Sequence, residues 1–223
     1  MRQIEAFCFD VDGTMYSINS MVRRNFFAFV HMRRFFKTLH MVRDSMRQIG
    51  QVEDFRQEQA AKLADEIGVS KSQAEQMIRT MIDEKWMEMF PRIHPFPELK
   101  ETLSSLSDMG FKLAVLSDYP VWPKLSGMGL AGLKFSAVVN AEDVGALKPH
   151  SAPFIRVAHM LKVPVEKILH VGDLERTDVV GALGAGMLTA RFYEGKRPET
   201  KALFAFKHWR RFIPLLRWKG LLR

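Results

Sequence analysis

Two aspartates separated by one residue, Asp10 and Asp12, have the clearest potential for chemistry in this sequence. They follow an apolar run, residues 4–9, that is typical of a short buried strand, and Gly13 ends that run. Open α/β sheets bind ligands at the carboxyl ends of their strands. Two acids this close repel each other unless a cation or a shared proton separates them. The pair therefore indicates a metal or proton-transfer site, with a solvated Asp-x-Asp-Gly turn as the alternative.

The elements that must position these acids come from the rest of the chain. From residue 98 onward, amphipathic helical segments alternate with short apolar segments. The later predicted strands are residues 111–116, 135–140, 168–171, 187–191 and 202–206. Strands that alternate with helices predict an α/β fold with a doubly wound parallel sheet, a Rossmann-like core.

Residues 15–92 have a different pattern, since their apolar residues recur at helical spacing and no strand is evident. Ser70, three residues before Gln73, resembles a capping box and predicts a helix that starts near Lys71. We interpret this segment as an α-helical cap domain. The core domain would then consist of residues 1–14 and 93–223.

Polar residues end three of the predicted strands. Besides the first pair of acids, Ser117 follows one strand and Asp173 follows another, while Lys148 comes from a loop at residues 145–149. Asp178 follows five residues after Asp173. Convergence of such groups on one sheet edge is what a functional site requires, and scattered surface charge would not favour strand ends.

These residue types suit phosphoryl transfer. Asp10 can act as the nucleophile and take up the phosphoryl group as an acyl phosphate, and Asp12 can protonate the leaving oxygen and then deprotonate water. We expect Mg²⁺ to bind Asp10, the backbone carbonyl of Asp12, and Asp173. Ser117 and nearby backbone N–H groups can hold the phosphoryl oxygens, and Lys148 supplies positive charge beside the nucleophile.

Four segments in this order resemble the motifs of the haloacid dehalogenase-like hydrolase superfamily: residues 9–14, 116–118, 147–149 and 171–178. The helical insertion between the first two motifs resembles the α-helical cap of one subgroup, so the likeness extends along nearly the whole chain. The resemblance implies the same nucleophile, acid/base and metal-binding roles as above. It further implies phosphate binding by Gly13, Ser117, Asp118 and Lys148. Asp178 would be an acid that supports the direct metal ligands, or would bind the metal through a water molecule.

The expected function is therefore a Mg²⁺-dependent phosphatase that acts on a small phosphorylated metabolite chosen by the cap. The superfamily's true dehalogenases lack an acid at the position of Asp12, which disfavours dehalogenation here. Sugar phosphomutases share the motifs and remain an alternative reading. The motifs do not name the substrate.

Composition limits the remaining choices. The chain has 223 residues, of which 47% are hydrophobic, and one cysteine, Cys8, so a core can form and a disulfide framework cannot. We expect a buried, unreactive Cys8 and a cytoplasmic protein, because no secretory signal or membrane-spanning stretch is evident.

The net charge of +8 concentrates at the two ends of the sequence, and residues 189–223 alone hold ten basic and two acidic residues. Segments 21–43 and 207–223 mix basic with aromatic residues, which is typical of helices packed on their neighbours with arginines at the surface. The alternative is a binding or regulatory module peripheral at a membrane, with anionic lipid as partner. Nucleic acid is not expected because no recognised binding module accompanies the charge. The oligomeric state is open.

Overall fold

Six parallel strands form one sheet in the computed structural model, which describes residues 4–222 apart from the side chains of Pro91 and Arg92. In chain order they are β1 (Ala6–Phe9), β2 (Lys112–Ser117), β3 (Phe135–Asn140), β4 (Ile168–Gly172), β5 (Leu188–Phe192) and β6 (Phe204–Phe206). Their spatial order is β3-β2-β1-β4-β5-β6, so the chain winds outward from β1 and then crosses back to β4. The predicted α/β fold with a doubly wound parallel sheet is confirmed.

The central strand β1 is buried on both faces because helices cover both sides of the sheet. Phe7 and Phe9 lie on one face, where they pack against Phe212 at 5.9 and 6.4 Å between ring centroids. Cys8 lies on the other face and pairs in register with His170. As expected, Cys8 is fully buried, and burial raises the pKa of its thiol.

The helices of the α/β part follow the predicted alternation closely. They are α5 (Leu99–Asp108), α6 (Trp122–Gly127), α7 (Ser151–Leu161), α8 (Val180–Gly184) and α9 (Phe212–Trp218). A π-helical turn at Glu175–Val179 leads directly into α8. Pro214 lies within the first turn of α9, where no intrahelical N–H donor is needed.

A helical segment separates β1 from β2. It consists of α1 (Ile18–Arg24), α2 (Phe26–Ile49), α3 (Phe55–Ile67) and α4 (Lys71–Ile78), followed by a π-helical stretch (Arg79–Trp86) and a 3₁₀ stretch (Met87–Arg92). The capping box of Ser70 and Gln73 is present, and α4 starts at Lys71 as predicted. The division into a cap of 15–92 and a core of 1–14 and 93–223 stays a prediction, and residues 1–3 and 223 lie outside the described part.

Candidate active site

The candidate site lies at the carboxyl edge of the sheet, where the strand order reverses. Asp10, Ser117 and Asp173 stand at or just beyond the ends of the adjacent strands β1, β2 and β4. Asp10 donates its backbone N–H to Val171 O at 2.9 Å, so the β1–β4 ladder continues up to the acid. This reversal is the place where open α/β sheets form their ligand crevice.

Asp10 is buried, and both of its carboxylate oxygens have partners. Oδ1 lies 2.6 Å from Lys148 Nζ, and Oδ2 accepts a hydrogen bond from Thr14 Oγ1 at 2.9 Å. Burial raises the pKa of Asp10 well above its usual range, and the charges of neighbouring carboxylates add to this although Lys148 opposes it. The carboxyl group is thus held in one orientation by its two partners.

Lys148 joins two acids, as its Nζ lies 2.6 Å from Asp178 Oδ1 as well. Burial alone would lower the pKa of Lys148, but Asp10 and Asp178 raise it above its usual value. Burial would raise the pKa of Asp178, and Lys148 together with His170 lowers it instead. Asp178 also accepts the Leu174 N–H at 3.1 Å. Its oxygens are therefore largely occupied by protein donors.

Three carboxylates approach one another closely within the described residues, and each offers an oxygen within 4.8 Å of the others: those of Asp10, Asp173 and Asp178. Burial, followed by the charge of Asp178, raises the pKa of Asp173 to about 7. Asp12 brings the number of acids to four, and two ammonium groups pair with them, those of Lys124 and Lys148. The acids therefore exceed the ammonium groups by two. A divalent cation would balance this excess, so the cluster could hold a metal ion.

Gly13 allows Asp173 to approach β1. Its φ of +88° lies in the left-handed region, and a Cβ there would lie 2.4 Å from Asp173 Oδ2. Only glycine satisfies both conditions without displacement. A glycine of the first motif therefore makes room for Asp173 of the last motif.

Asp12 has a separate set of partners from the three clustered carboxylates. Ser117 Oγ donates to its Oδ2 at 3.0 Å, and Tyr16 Oη and Lys124 Nζ make short contacts with it. Burial would raise the pKa of Asp12, but the Lys124 charge and the three hydrogen bonds lower it. The two acids of the first motif are thus held in different environments.

Ser117 and Asp118 extend the edge at the end of β2. Ser117 is fully buried and accepts the Tyr119 N–H at 3.1 Å besides donating to Asp12. The carboxylate of Asp118 accepts from Arg47 at 2.7 Å and from the Lys148 N–H at 3.1 Å. That carboxylate is therefore occupied, and phosphate binding by Gly13, Ser117, Asp118 and Lys148 stays a prediction.

Sequence reasoning missed Lys124, the cation beside Asp12. Its side chain is fully buried. Its Nζ lies 5.3, 5.6 and 5.5 Å from the ring centroids of Trp86, Phe90 and Tyr119, respectively. One signal could have indicated it: a lysine three residues after Val121 shares a helical face with apolar neighbours. That pattern predicts burial but does not name the partner.

Two arginines of α2 were also missed, Arg43 and the Arg47 that donates to Asp118. Arg43 is buried, donates to Gln59 Oε1 at 2.8 Å, and makes a short ion pair with Glu142 and a hydrogen bond to Asp118 O. Its guanidinium carbon also lies 3.9 Å from the centroid of the Tyr119 ring. The helical segment therefore contacts the site edge through charged side chains.

The aromatic residues of α2 divide between packing and exposure. Phe35 is buried and Phe36 is half-buried, whereas Ala28 near the start of α2 is exposed. Phe27 is 82% exposed and Trp218 of α9 is 75% exposed. Within the described part of the chain, no helix combines the length and apolar character needed to cross a membrane. The membrane-surface and phosphomutase alternatives remain predictions.

Similarity to known proteins was found in curated sequences. The chain is 41% identical over 110 residues to a glyceraldehyde 3-phosphate phosphatase of Methanopyrus kandleri, covering 48% of this chain and 47% of that one. It is 38% identical over 94 residues to a phosphoglycolate phosphatase of Pectobacterium atrosepticum, covering 41% and 39%. The chain thus spans less than half the length of these relatives.

A solved structure and a family model extend the likeness to nearly the whole chain. The HAD phosphatase from Thermococcus onnurineus superposes with a TM-score of 0.64 at 22% identity, covering 99% of this chain and 100% of that one, which shows a shared fold. The model of haloacid dehalogenase-like hydrolases matches residues 4–186. The predicted resemblance is confirmed: this chain belongs to the haloacid dehalogenase-like hydrolases.

Proposed function

We propose that this protein is a Mg²⁺-dependent phosphatase that hydrolyses a phosphate monoester through an aspartyl-phosphate at Asp10. The observation that carries the proposal is the pairing of Asp10 with Lys148 at 2.6 Å beside two further acids at the reversal of the sheet. The names of the curated relatives support the phosphatase class.

In the first half-reaction, a carboxylate oxygen of Asp10 forms a bond to phosphorus and the bond from phosphorus to the alcohol oxygen breaks. Lys148 and Thr14 hold the Asp10 carboxylate, so the nucleophile is already oriented before substrate binds. Lys148 also places positive charge beside the phosphoryl oxygens. Asp12 gives its proton to the departing alcohol.

In the second half-reaction, Asp12 takes a proton from water, whose oxygen attacks phosphorus and releases phosphate from Asp10. The lowered pKa of Asp12 suits this basic role. The acidic role requires a raised pKa, and the dianionic phosphate of an arriving substrate supplies that through its charge. Ser117 and Lys124 hold the Asp12 carboxylate between the two steps.

Asp10, Asp173 and the backbone carbonyl of Asp12 would hold Mg²⁺, and Asp178 would orient Lys148 rather than bind the metal directly. When bound, the ion supplies positive charge that keeps Asp10 ionised and neutralises the phosphoryl oxygens. The formal excess of two negative charges in the cluster supports a divalent ion.

Phosphate release from 2-phosphoglycolate, glyceraldehyde 3-phosphate and simple alkyl phosphates, with Mg²⁺ or with EDTA, tests the proposal. We expect activity that EDTA removes, and loss of turnover by at least about a thousandfold in Asp10→Asn, since covalent catalysis has no substitute nucleophile there. Asp108→Asn, at an exposed acid of α5, is the matched control. Retained turnover in a folded Asp10→Asn protein contradicts the mechanism.

A further inference from the structure

A cavity of about 430 Å³ opens beside the candidate site, between the helical segment and the sheet edge. Asp12 and Tyr119 line it on the sheet side. Its other walls are mostly apolar side chains of the helical segment, among them Met21, Val22, Phe29, Phe36 and Trp86. A water molecule occupies roughly 30 Å³ in the liquid, so the cavity has the volume of about fourteen water molecules. Cavities of this size are within the range of small-molecule binding pockets.

Part of the cavity wall is a connected series of aromatic rings. Phe29 stacks on Phe36 at 6.2 Å, Phe36 meets Trp86 at 5.2 Å, and Trp86 meets Tyr119 at 4.5 Å between centroids. Rings held in mutual contact form a rigid apolar surface. Because the leaving alcohol must lie next to the residue that protonates it, a group leaving toward Asp12 enters this cavity.

From this placement we infer that the substrate is a phosphate monoester whose alcohol portion is a bulky apolar group rather than a two- or three-carbon polar fragment. The inference rests on the proposed function, since it assigns Asp12 to the leaving group. A small polar fragment would leave most of the aromatic wall in contact with water and would gain no apolar burial from it. An apolar alcohol releases that water and is stabilised by the buried area.

The charges at the cavity favour an anion with an apolar body. Arg33, Lys37 and His40 line it along α2. Neither Arg33 nor Lys37 forms a salt bridge within residues 4–222, whereas His40 lies 3.6 Å from Asp44. The one acid of the lining, Asp12, is already paired with Lys124. The cavity therefore carries a positive excess that attracts a phosphate monoester and would not attract a neutral alcohol.

A series of n-alkyl phosphates with ethyl, butyl and hexyl groups tests the inference. We expect kcat/KM to rise with chain length by up to about fourfold for each methylene that becomes buried, and the hexyl ester to exceed the ethyl ester by at least about tenfold. Equal or falling values along a series that is hydrolysed overturn the inference and leave the phosphatase proposal intact.

Two variants and one control test whether the preference for a longer alkyl chain arises in this cavity. Phe36→Ala removes part of the aromatic wall, and Ile18→Trp adds bulk at a half-exposed position of the lining, so each should reduce the hexyl-to-ethyl ratio at least about fivefold. Phe27→Ala makes the same change as the first variant at an exposed site on the same helix and should leave the ratio unchanged. An unchanged ratio in a folded Ile18→Trp protein contradicts the placement.

Binding separates the two proposals if no ester is hydrolysed. Calorimetry with hexylphosphonate and ethylphosphonate, in the presence of Mg²⁺, measures the cavity without turnover. Tighter binding of the hexyl compound supports the cavity while the phosphatase proposal falls. Equal or absent binding of the two compounds overturns the inference.

Discussion

Asp10 and Asp12 lie two residues apart, yet the protein places them in different electrostatic surroundings. Asp10 lies among other acids, and burial together with those acids raises its pKa, while Lys124 and three hydrogen bonds lower the pKa of Asp12. Titratable pairs whose pKa values are shifted apart are typical of sites that divide one reaction between two groups. The first motif is thus two sites rather than a single acidic patch.

Lys124→Met tests the importance of the cation beside Asp12. The change keeps a long side chain among the three aromatic rings and removes the charge, so Asp12 loses the ammonium group that pairs with it. We expect kcat to fall at least about tenfold with a smaller change in KM, because the acid/base group is no longer held.

Steady-state kinetics and circular dichroism provide the measurement for this variant. Lys134→Met, at an exposed lysine before β3, serves as the control and should behave as wild type. A folded Lys124→Met protein with normal kcat would show that Asp12 does not depend on Lys124.

Gly13→Ala places a methyl group 2.4 Å from Asp173 Oδ2 in a left-handed backbone conformation. The strain costs about 1–2 kcal/mol, and Asp173 must move to relieve the contact. We therefore expect the Mg²⁺ concentration for half-maximal activity to rise at least about tenfold. Gly132→Ala, where a Cβ meets no atom within 4 Å, is the control, and an unchanged Mg²⁺ requirement for Gly13→Ala would contradict the assigned role of Asp173.

At the scale of elements, α2 connects the helical segment to the edge of the sheet. Arg43 and Arg47 of this helix reach Glu142 and Asp118, and Val52, three residues beyond the helix, donates its N–H to Gly145 O at 2.9 Å. Gly145 has a φ of +81°, and a Cβ there would lie 2.0 Å from Val52 O. Backbone and charged contacts thus occur together along one junction.

Arg43→Met tests this junction. Removing one partner of a buried ion pair leaves Glu142 with the longer contact to Arg56 at 3.5 Å, so we expect the free energy of unfolding to fall by about 3 kcal/mol. Adding Glu142→Leu removes the uncompensated charge and should restore part of that loss. Urea denaturation measures both, with Arg34→Met on the exposed side of α2 as control. An Arg43→Met protein as stable as wild type would mean that the ion pair adds nothing to the free energy of unfolding.

At the scale of the whole molecule, the net charge is positive, and we propose that the site binds an anion. The net charge is +8, and three basic side chains line the cavity next to Asp12. Such a distribution raises the rate at which anionic substrates arrive. The basic side chains at the cavity would then serve to attract the substrate, which requires neither nucleic acid nor a membrane.

Ionic strength tests this steering. Between about 20 and 300 mM salt the screening length shortens severalfold, so kcat/KM should fall at least about threefold while kcat stays nearly constant. Mg²⁺ is kept saturating throughout, and the Lys37→Gln variant should show a weaker dependence than wild type. A kcat/KM that does not respond to salt would contradict steering.

From the order of residues alone one infers the parallel sheet, the helical segment between β1 and β2, and the polar residues that end three strands. These features are local, because apolar periodicity and turn residues report each element, and motifs mark strand ends. The pairing of Asp10 with Lys148 follows from that reasoning, since both were placed at one edge.

The partners of Asp12, the arginines at the junction and the aromatic cavity could not be inferred in this way. Lys124 is 112 residues from Asp12, and Arg43 is 99 residues from Glu142. A helical pattern states which face is buried but not which remote side chain meets it, because that depends on how α2 and α6 pack against the sheet. Packing of distant segments therefore sets the surroundings of the acid/base group and the shape of the space beside it.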